Sequence, residues 1–285
     1  MELIREFDPW RDPLCTCLDK YGFNPYTGCP HRCQYCYITA YIPNGFNCRP
    51  KKDLIKRLKS ELKRIDRTKV ISMSNSSDPY PPIERELNLT RASLELFKKN
   101  DCKILILTKS DIVLRDTDLL KNMKAVVTFT ITTLDEKIAE KLEPNAPKPN
   151  VRLKAATKLT SEEVPVGIRL DPIIPGVNDN FETSIAKIAE TGALHLVSST
   201  YKPRSDNWKR FKNAFPEVAI KLSHYYFEQG ERHHNSWYLP RNIRLNLVKK
   251  IKESCTQYGL SFATCREGFE NLHTAKSCDG SHLVA

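Results

Sequence analysis

Residues 24–37 read NPYTGCPHRCQYCY and place three cysteines in one short loop, at Cys29, Cys33 and Cys36. Ten cysteines scattered at random over 285 positions would give only about 0.01 matches to the spacing CxxxCxxC. Thiolates this close together bind an iron–sulfur cluster or zinc, and a closed cubane or a structural zinc site needs four ligands. The sequence therefore predicts a metal centre with one position left for a distant residue or for a substrate.

The composition is that of an ordinary globular protein. Of the 285 residues, 40% are hydrophobic and 28% are charged, which is enough for a substantial core. No apolar run approaches the roughly 18–20 residues that cross a bilayer, and the N-terminal MELIREFDPWRD does not look like a secretory signal. We therefore expect a cytoplasmic protein without a membrane association, whose cysteines serve metal or redox chemistry rather than a disulfide framework.

The chain carries a formal net charge of +11. An excess of this size favours polyanions, of which nucleic acid is the commonest inside cells. A lysine-rich surface that only keeps the protein in solution would produce the same charge. The charge alone therefore leaves a DNA or RNA partner open.

Short apolar runs alternate with amphipathic helices over the first 200 residues. One strand is predicted just before Cys29, and five more at 70–73, 104–107, 125–132, 164–170 and 194–198. The intervening helices include one over 54–65 and one over 90–99, which Thr90 is expected to cap. Such alternation gives right-handed βαβ units and a parallel sheet. Six strands are too few for a closed eight-stranded barrel, so we predict an α/β fold with a partial (β/α)6 TIM-type barrel.

Residues 201–285 break this rhythm with aromatic and basic stretches, one clear helix at 242–258 and an irregular tail. We therefore divide the chain into a barrel with an N-terminal arm at 1–200 and a C-terminal extension at 201–285 packed on the barrel. In a parallel α/β sheet the functional loops follow the carboxyl ends of the strands. The informative segments lie there: NPYTGCPHRCQYCY, SNSSDPYPPIE, TKSD, TITT, RLDPIIPGVND and SSTYKPR.

The motif CxxxCxYC after the first strand of a partial barrel resembles the radical S-adenosylmethionine (SAM) enzymes. In that family three cysteines hold a [4Fe-4S] cluster, and the fourth iron binds the amine and carboxylate of SAM. One electron cleaves SAM to methionine and a 5′-deoxyadenosyl radical, which abstracts a hydrogen from the substrate. The resemblance implies that Cys29, Cys33 and Cys36 are the cluster ligands. It also implies that Tyr35 and Tyr37 lie beside the cluster and the adenine, and that a donor such as ferredoxin or flavodoxin supplies the electron.

Over residues 20–200 the order of motifs is similar to that of the spore photoproduct lyase branch of the family: NPYTGCPHRCQYCY, SSDPYPPIE, TKS, LEPNAPKPNVRLKA and RLDPIIPG. This resemblance implies a set of side chains around SAM. They are Ser74, Asn75, Ser76 and Asp78 at the methionyl end, Lys109 at the carboxylate, Thr130 at the ribose and Arg169 facing the same pocket. His31, inside the cysteine loop, is expected to be solvated rather than a ligand.

Several of these side chains have an ordinary alternative interpretation. The alternatives are a surface lysine for Lys109, a β-forming residue for Thr130, a turn residue for Asp78, and a partner of Glu143 or Asp171 for Arg169.

The chain departs from the spore photoproduct lyases at one position. Those enzymes carry a cysteine in the loop after the second strand, which returns a hydrogen atom to the product radical. Asn75 aligns with that cysteine, and an amide cannot perform this step. The neighbouring Tyr80 is the candidate for it. The resemblance therefore extends to the scaffold and leaves the thymine-dimer reaction itself in doubt.

The remaining cysteines divide into two kinds. Cys102 and Cys255 follow apolar patterns and are interpreted as small core residues. Four others occupy irregular, polar sequence, where a buried structural thiol is not expected. They are predicted to form a second metal site, holding an auxiliary [4Fe-4S] cluster or zinc, with reduced free thiols as the alternative: Cys15, Cys17, Cys265 and Cys278.

The stretch YKPRSDNWKRFKN at 201–213 interleaves cations with aromatic rings. Cations for phosphates beside rings for bases are typical of a surface that binds single strands of DNA or RNA. The alternative is an amphipathic helix that packs Trp208 and Phe211 on the barrel and keeps its lysines in water.

Three functions therefore remain open from sequence. The first is a radical SAM enzyme that acts on a nucleic-acid base, and the second is the same catalyst acting on a peptide or small metabolite. The third is a metal-stabilised nucleic-acid-binding module without catalysis. An open metal position beside the SSD and TKS loops favours the two enzymes.

Overall fold

The computed structural model describes residues 2–7, 12–73 and 76–284. Its strands are β1 (Ile4–Glu6), β2 (Lys20–Phe23), β3 (Tyr26–Thr27), β4 (Arg49–Pro50), β5 (Val70–Met73), β6 (Lys103–Thr108), β7 (Ala125–Thr130), β8 (Val166–Ile173), β9 (His195–Thr200), β10 (Glu231–His233), β11 (Ser236–Tyr238) and β12 (Ser261–Thr264). Its α-helices are α1 (Leu54–Glu61), α2 (Glu84–Leu87), α3 (Leu89–Lys99), α4 (Thr117–Leu120), α5 (Glu136–Leu142), α6 (Pro149–Ser161), α7 (Glu182–Ala189), α8 (Ser205–Ala214), α9 (Pro216–Phe227) and α10 (Arg241–Gln257). Within these residues, no helix is long and apolar enough to cross a membrane.

An eight-stranded sheet in the order β1-β2-β5-β6-β7-β8-β9-β12 forms the centre of the fold. Within this sheet, β2, β5, β6, β7, β8, β9 and β12 run parallel to one another. β1 pairs antiparallel with β2 at one edge. In the part of the chain that the structure describes, no strand joins β1 to β12, so the barrel is open along that seam. The predicted α/β fold with a partial barrel is confirmed.

The structure adds two strands to the central sheet that the sequence pattern did not indicate. β1 and β12 have three and four residues, which is too short for a period of two to be recognised. β12 pairs with β9 through Ser261–His195 and the three following partners. The extension at 201–285 therefore supplies a strand to the same sheet, and the boundary at residue 200 stays a prediction.

The sheet is buried on both faces. On the outer face Ile104 and Ile106 pack with Leu94 and Phe97 of α3 in one large apolar core. On the inner face Leu105 and neighbouring residues contact the C-terminal segment, which fills the amino-terminal half of the barrel. The interior at the carboxyl ends of the strands is therefore available for a functional site.

The aromatic rings of 201–213 belong to a second apolar core. Tyr201, Phe211 and Tyr226 are all at most 1% exposed, and Trp208 packs against the same cluster. The interpretation of this stretch as an amphipathic helix is therefore the one that the structure supports. Its rings are not free to stack on bases.

One predicted helix start is wrong. α3 begins at Leu89 after Asn88, which has a left-handed backbone (φ 52°), and no side chain caps the helix. Thr90 is buried, and its hydroxyl donates a hydrogen bond to the carbonyl of Pro79. Thr90 therefore joins the loop after β5 to α3 instead of capping the helix.

Phe23 is the last residue of β2 and leads into the cysteine loop. It is fully buried, and its ring meets that of Phe97 edge to face at 5.2 Å. Replacement by alanine is expected to lower the free energy of unfolding by about 3–5 kcal/mol, because the cavity cannot be filled by the surrounding strands. Urea unfolding measures this change. Ile220→Ala, at a side chain that is 69% exposed, serves as the control and should stay within about 0.5 kcal/mol of the unmodified chain. Equal effects of the two substitutions would contradict this packing.

Candidate metal centre

The three-cysteine loop lies at the carboxyl end of the barrel, after β2 and β3. Cys33 is buried and its two companions are partly buried. The amide of Cys29 donates to the carbonyl of Gly45 at 2.8 Å, and Gly28 (φ 81°) passes so close to the carbonyl oxygen of Asn47 that a Cβ atom would lie 2.2 Å from it. Only glycine fits at position 28, and it allows the chain to turn into the loop.

A single metal ion and an iron–sulfur cluster place different demands on the positions of the three thiols. Among the described residues, no three His, Cys, Asp or Glu side chains meet closely enough to hold one metal ion. A cubane offers a separate iron to each thiolate, so its three ligands do not have to converge on a point. Three separate thiols are therefore compatible with the ligand set of a cluster.

One side of the loop is held by the connection between α5 and α6. The amide of Gln34 donates to the carbonyl of Leu142 at 2.8 Å. Asn145 donates its amide to the carbonyl of His31 at 3.2 Å and its side chain to that of Pro30 at 3.0 Å. These backbone contacts fix the loop residues that separate the cysteines.

The other side of the loop is held by α8. The Asn207 side chain, 1% exposed, donates to the carbonyl of Tyr35 at 3.0 Å, and Arg210 donates to the carbonyl of Cys36 at 2.5 Å. Arg210 also reaches the hydroxyl of Thr39 at 3.0 Å. The basic stretch 201–213 therefore positions the cysteine loop. No local sequence pattern indicates this role, because Tyr35 and Asn207 are 172 residues apart in the chain.

A buried charged cluster lies behind Cys33. Glu143 forms an ion pair with Arg152 at 2.5 Å, with both side chains 1% exposed, and lies 3.8 Å from the ammonium of Lys109. The hydroxyls of Tyr35 and Thr132 also donate to Glu143. Lys109 is thus placed beside the cysteine loop and not on the surface. The sequence offered Glu143 only as a possible partner of Arg169 and gave no role to Arg152, so their ion pair is a result of the structure.

The loop after β5 contains four of the residues predicted around SAM. Ser74 and Asn75 lie outside the described residues. Ser76 hydrogen-bonds with Tyr41. Asp78 accepts from the hydroxyl of Thr108 and the amide of Lys109, both at 2.7 Å, so it joins this loop to the end of β6.

Ser77 and His31 face the same region. The Ser77 hydroxyl is buried and has no hydrogen-bond partner among the described residues. His31 is 3% exposed and lies 3.8 Å from Asp78, so the expectation of a solvated histidine is wrong. Burial lowers the pKa of His31 although the nearby Asp78 carboxylate acts in the opposite direction, so the neutral imidazole is favoured.

Thr130 and Arg169 are neighbours in register on β7 and β8. The Arg169 guanidinium donates to Asp171 and to the sulfur of Cys265. Asp171, rather than Glu143, is thus the partner of Arg169 among the two alternatives. The paired guanidinium remains 17% exposed at the mouth of the barrel.

Tyr80 is placed differently from its expected role. It is fully buried in the apolar core between the sheet and the helices, and burial next to Asp116 raises the pKa of its hydroxyl far above the ordinary value. A phenol in this layer does not face the barrel mouth. The structure thus argues against Tyr80 as a hydrogen donor to a substrate.

The four cysteines of the predicted second metal site fall into two places. Cys17 and Cys278 have their sulfurs 3.3 Å apart, and Cys15 hydrogen-bonds to Cys17. Cys265 lies instead beside Arg169 at the barrel mouth. The four-thiolate site stays a prediction. Cys102 and Cys255 are 1% and 0% exposed, as expected of core residues.

The sequence profile of the Radical SAM superfamily matches residues 23–188. The chain belongs to this superfamily. A protein of Methanocaldococcus jannaschii with no assigned function is 33% identical over 165 residues, which span 56% of this chain and 62% of that protein. The radical SAM Nα-GlyT isomerase of Pseudomonas phage M6 is 22% identical over 258 residues, covering 85% of this chain and 53% of the isomerase.

Solved structures with the same fold include a spore photoproduct lyase with bound SAM and dinucleoside spore photoproduct. It superimposes with a TM-score of 0.66 at 16% identity, covering 90% of this chain and 79% of the lyase. SuiB of Streptococcus suis bound to SAM gives a TM-score of 0.58 at 14% identity, covering 85% of this chain and 49% of SuiB. The fold therefore agrees with the predicted branch.

Membership implies a [4Fe-4S] cluster and SAM, and the donor set fits them. Burial raises the pKa of Cys29 and Cys33 to about 12 and that of Cys36 to about 11. Buried thiols of this kind ionise only when a metal supplies positive charge. Together with the ammonium of Lys109 beside the loop, they provide three soft ligands and a cation for a charged cofactor.

Glu143 links this pocket to stability. Burial alone would raise its pKa, but Arg152 and Lys109 lower it from 4.5 to about 2. A carboxylate with a depressed pKa stabilises the fold above its unfolded pKa, and this stabilisation, about 3 kcal/mol here, is lost as the pH falls from about 4.5 to 2. Glu143→Gln is expected to remove that acid-dependent segment and to cost about 3–5 kcal/mol at pH 7, since Arg152 is left buried without a counter-charge.

Urea unfolding of both proteins between pH 7 and pH 2 measures this effect. Glu162→Gln is the matched control, because Glu162 pairs with Lys158 at the surface, where solvent screens the pair, and it should keep the acid slope of the unmodified chain. The same acid slope in Glu143→Gln and the unmodified chain would contradict the assignment.

Proposed function

We propose that this chain is a radical SAM enzyme that holds its cluster on Cys29, Cys33 and Cys36 and removes a hydrogen atom from a nucleobase-containing substrate. The observation that carries the first part is the loop itself, which presents three thiols and is held on both sides by hydrogen bonds to its backbone. Such fixation is what an oxygen-sensitive cofactor requires of its protein.

The charged cluster suits the methionyl end of SAM. Glu143 keeps Lys109 cationic, because its carboxylate lies 3.8 Å from the ammonium and raises the pKa of Lys109 against burial. A held cation beside the cysteine loop is a partner for a carboxylate. The cluster and SAM, when bound, supply the one-electron chemistry that removes the hydrogen atom. The protein orients them and keeps water away.

Cys33→Ala is expected to abolish SAM cleavage. After anaerobic reconstitution with iron and sulfide, dithionite and SAM should give 5′-deoxyadenosine with the unmodified chain. The yield of 5′-deoxyadenosine from the variant should be lower by more than about 100-fold. Loss of a residue that only hydrogen-bonds to a metal ligand already costs about 10–100-fold in metal affinity or activity. Cys102→Ala, at an equally buried thiol in the outer core, should leave the yield unchanged. Cluster binding without any 5′-deoxyadenosine would favour the non-catalytic module.

Two exposed tyrosines at the barrel mouth favour a substrate that contains a nucleobase. The rings of Tyr37 and Tyr41 stack at 5.9 Å with an interplanar angle of 24°, and 46% and 45% of these residues are exposed. The Arg204 guanidinium lies 5.5 Å from the Tyr37 ring, and Arg169 and Arg266 are within electrostatic range of the same residue. Stacked rings surrounded by guanidinium groups suit a base with its phosphates. The net charge of +11 favours the same partner.

Tyr41→Ala is expected to weaken binding of a single-stranded oligonucleotide by about 5–150-fold, because stacking on an aromatic ring is worth about 1–3 kcal/mol per base. Fluorescence anisotropy at two salt concentrations measures this, and binding should weaken as salt rises. Tyr258→Ala is the control, since that tyrosine is 41% exposed at the end of α10. Absence of binding at low salt would favour a peptide or small metabolite instead.

A further inference from the structure

The C-terminal segment Cys278–Val284 occupies the amino-terminal half of the barrel interior. Asp279 forms an ion pair with Lys20, the first residue of β2, with side-chain exposures of 6% and 4%. The carbonyl of Cys278 lies 3.2 Å from Nε2 of His195, the first residue of β9. Val284 packs against the inner face of the sheet. We call this segment the plug, and its contacts make it part of the core.

Three thiols meet where the plug reaches the N-terminal arm. The sulfurs of Cys17 and Cys278 are 3.3 Å apart, and the Lys20 ammonium lies 3.3 Å from the sulfur of Cys17. Cys15 hydrogen-bonds to Cys17. Cys278 is 2% exposed, whereas Cys15 and Cys17 are only partly buried. The three thiols thus form a row, with Cys15 and Cys17 partly exposed to solvent and Cys278 buried in the plug.

Two sulfurs in van der Waals contact need to move by only about 1.3 Å to reach the 2.05 Å of a disulfide bond. We propose that Cys17 and Cys278 form a reversible disulfide that fastens the plug inside the barrel, and that Cys15 is the thiol through which exchange begins.

The exchange needs a disulfide oxidant, either a small-molecule disulfide or a dithiol–disulfide protein. Cys15 displaces one thiol from the oxidant and forms a mixed disulfide, and Cys17 then displaces the second thiol and closes a Cys15–Cys17 bond. Cys278 attacks the adjacent sulfur of Cys17 and releases Cys15 as a thiol. Overall, two protein thiols lose two electrons and two protons, and the oxidant gains them as two thiols.

The electrostatics make this a slow reaction. The hydrogen bond from Cys15 to Cys17 raises the pKa of Cys15 far above its ordinary value. The same bond lowers the pKa of Cys17, but Cys278 and burial raise it to about 12. Thiolate is the reacting form, so exchange should accelerate as the pH rises. A Cys17–Cys278 disulfide that forms slowly also exchanges slowly with other thiols, which suits a structural role.

The link joins positions 261 residues apart. A disulfide that closes so long a loop restricts the unfolded chain strongly. The oxidised protein should therefore unfold at a temperature higher by on the order of 10 °C.

The test uses the anaerobically purified, cluster-loaded chain with glutathione disulfide at pH 8.5. Tryptic digestion without reductant should yield residues 12–20 joined to residues 277–285, and thermal unfolding should shift upward. Cys17→Ser and Cys278→Ser should lose both effects. Cys15→Ser should keep the joined peptides and the shift but reach them more slowly. Cys102→Ala is the matched control and should behave as the unmodified chain.

Three outcomes would overturn the proposal. One is the absence of the joined peptides after prolonged oxidation. Another is their disappearance in Cys15→Ser, which would make Cys15 the partner. The last is a fall in zinc or iron per chain in Cys17→Ser, Cys278→Ser or both, which would make these thiols metal ligands. None of these readouts involves SAM cleavage, so failure here is distinct from failure of the proposed function.

Discussion

The carboxylate of Glu143 is the interaction on which the candidate site depends. It lies at the C-terminus of α5 and brings together Arg152 of α6, Lys109 after β6 and Tyr35 of the cysteine loop. A buried charge without partners would destabilise the fold by several kcal/mol, so each of these groups is needed by the others. Helices, strand ends and loop are therefore joined into one rigid unit beside Cys33.

The contacts of the cysteine loop also explain the composition of residues 201–213, which follow β9. The segment has cations between aromatic rings, which is typical of a nucleic-acid surface, yet its rings form a core and Asn207 and Arg210 bind the carbonyls of the cysteine loop. Two tyrosines next to the cysteines, Tyr37 and Tyr41, have the exposure that the segment lacks. The proposed nucleobase contact therefore lies next to the cysteines and not in the segment whose composition suggested it.

Sequence patterns were sufficient for the class of fold and for the three cysteines. Strands such as Lys103–Thr108 are continuous apolar runs, and the cysteine spacing is too rare to be accidental. The contacts that hold the site could not be predicted in this way, because they join residues far apart in the chain. Asn207 to Tyr35 spans 172 residues and Cys17 to Cys278 spans 261. His31 was expected in solvent for the same reason, since the side chains that cover it come from other parts of the chain.

The position of the plug has a consequence for synthesis on the ribosome. Of the eight strands in the sheet, all but β12 are complete at Thr200, while the residues that fill the interior begin at Cys278, which is 78 residues later. At typical rates of about 5–20 residues per second, a nascent barrel would remain hollow and wet for roughly 4–16 seconds. During that interval Lys20 has no carboxylate beside it, and a chaperone has its best opportunity to bind the exposed inner face. Closure of the barrel is therefore a late event, separate from the formation of its sheet.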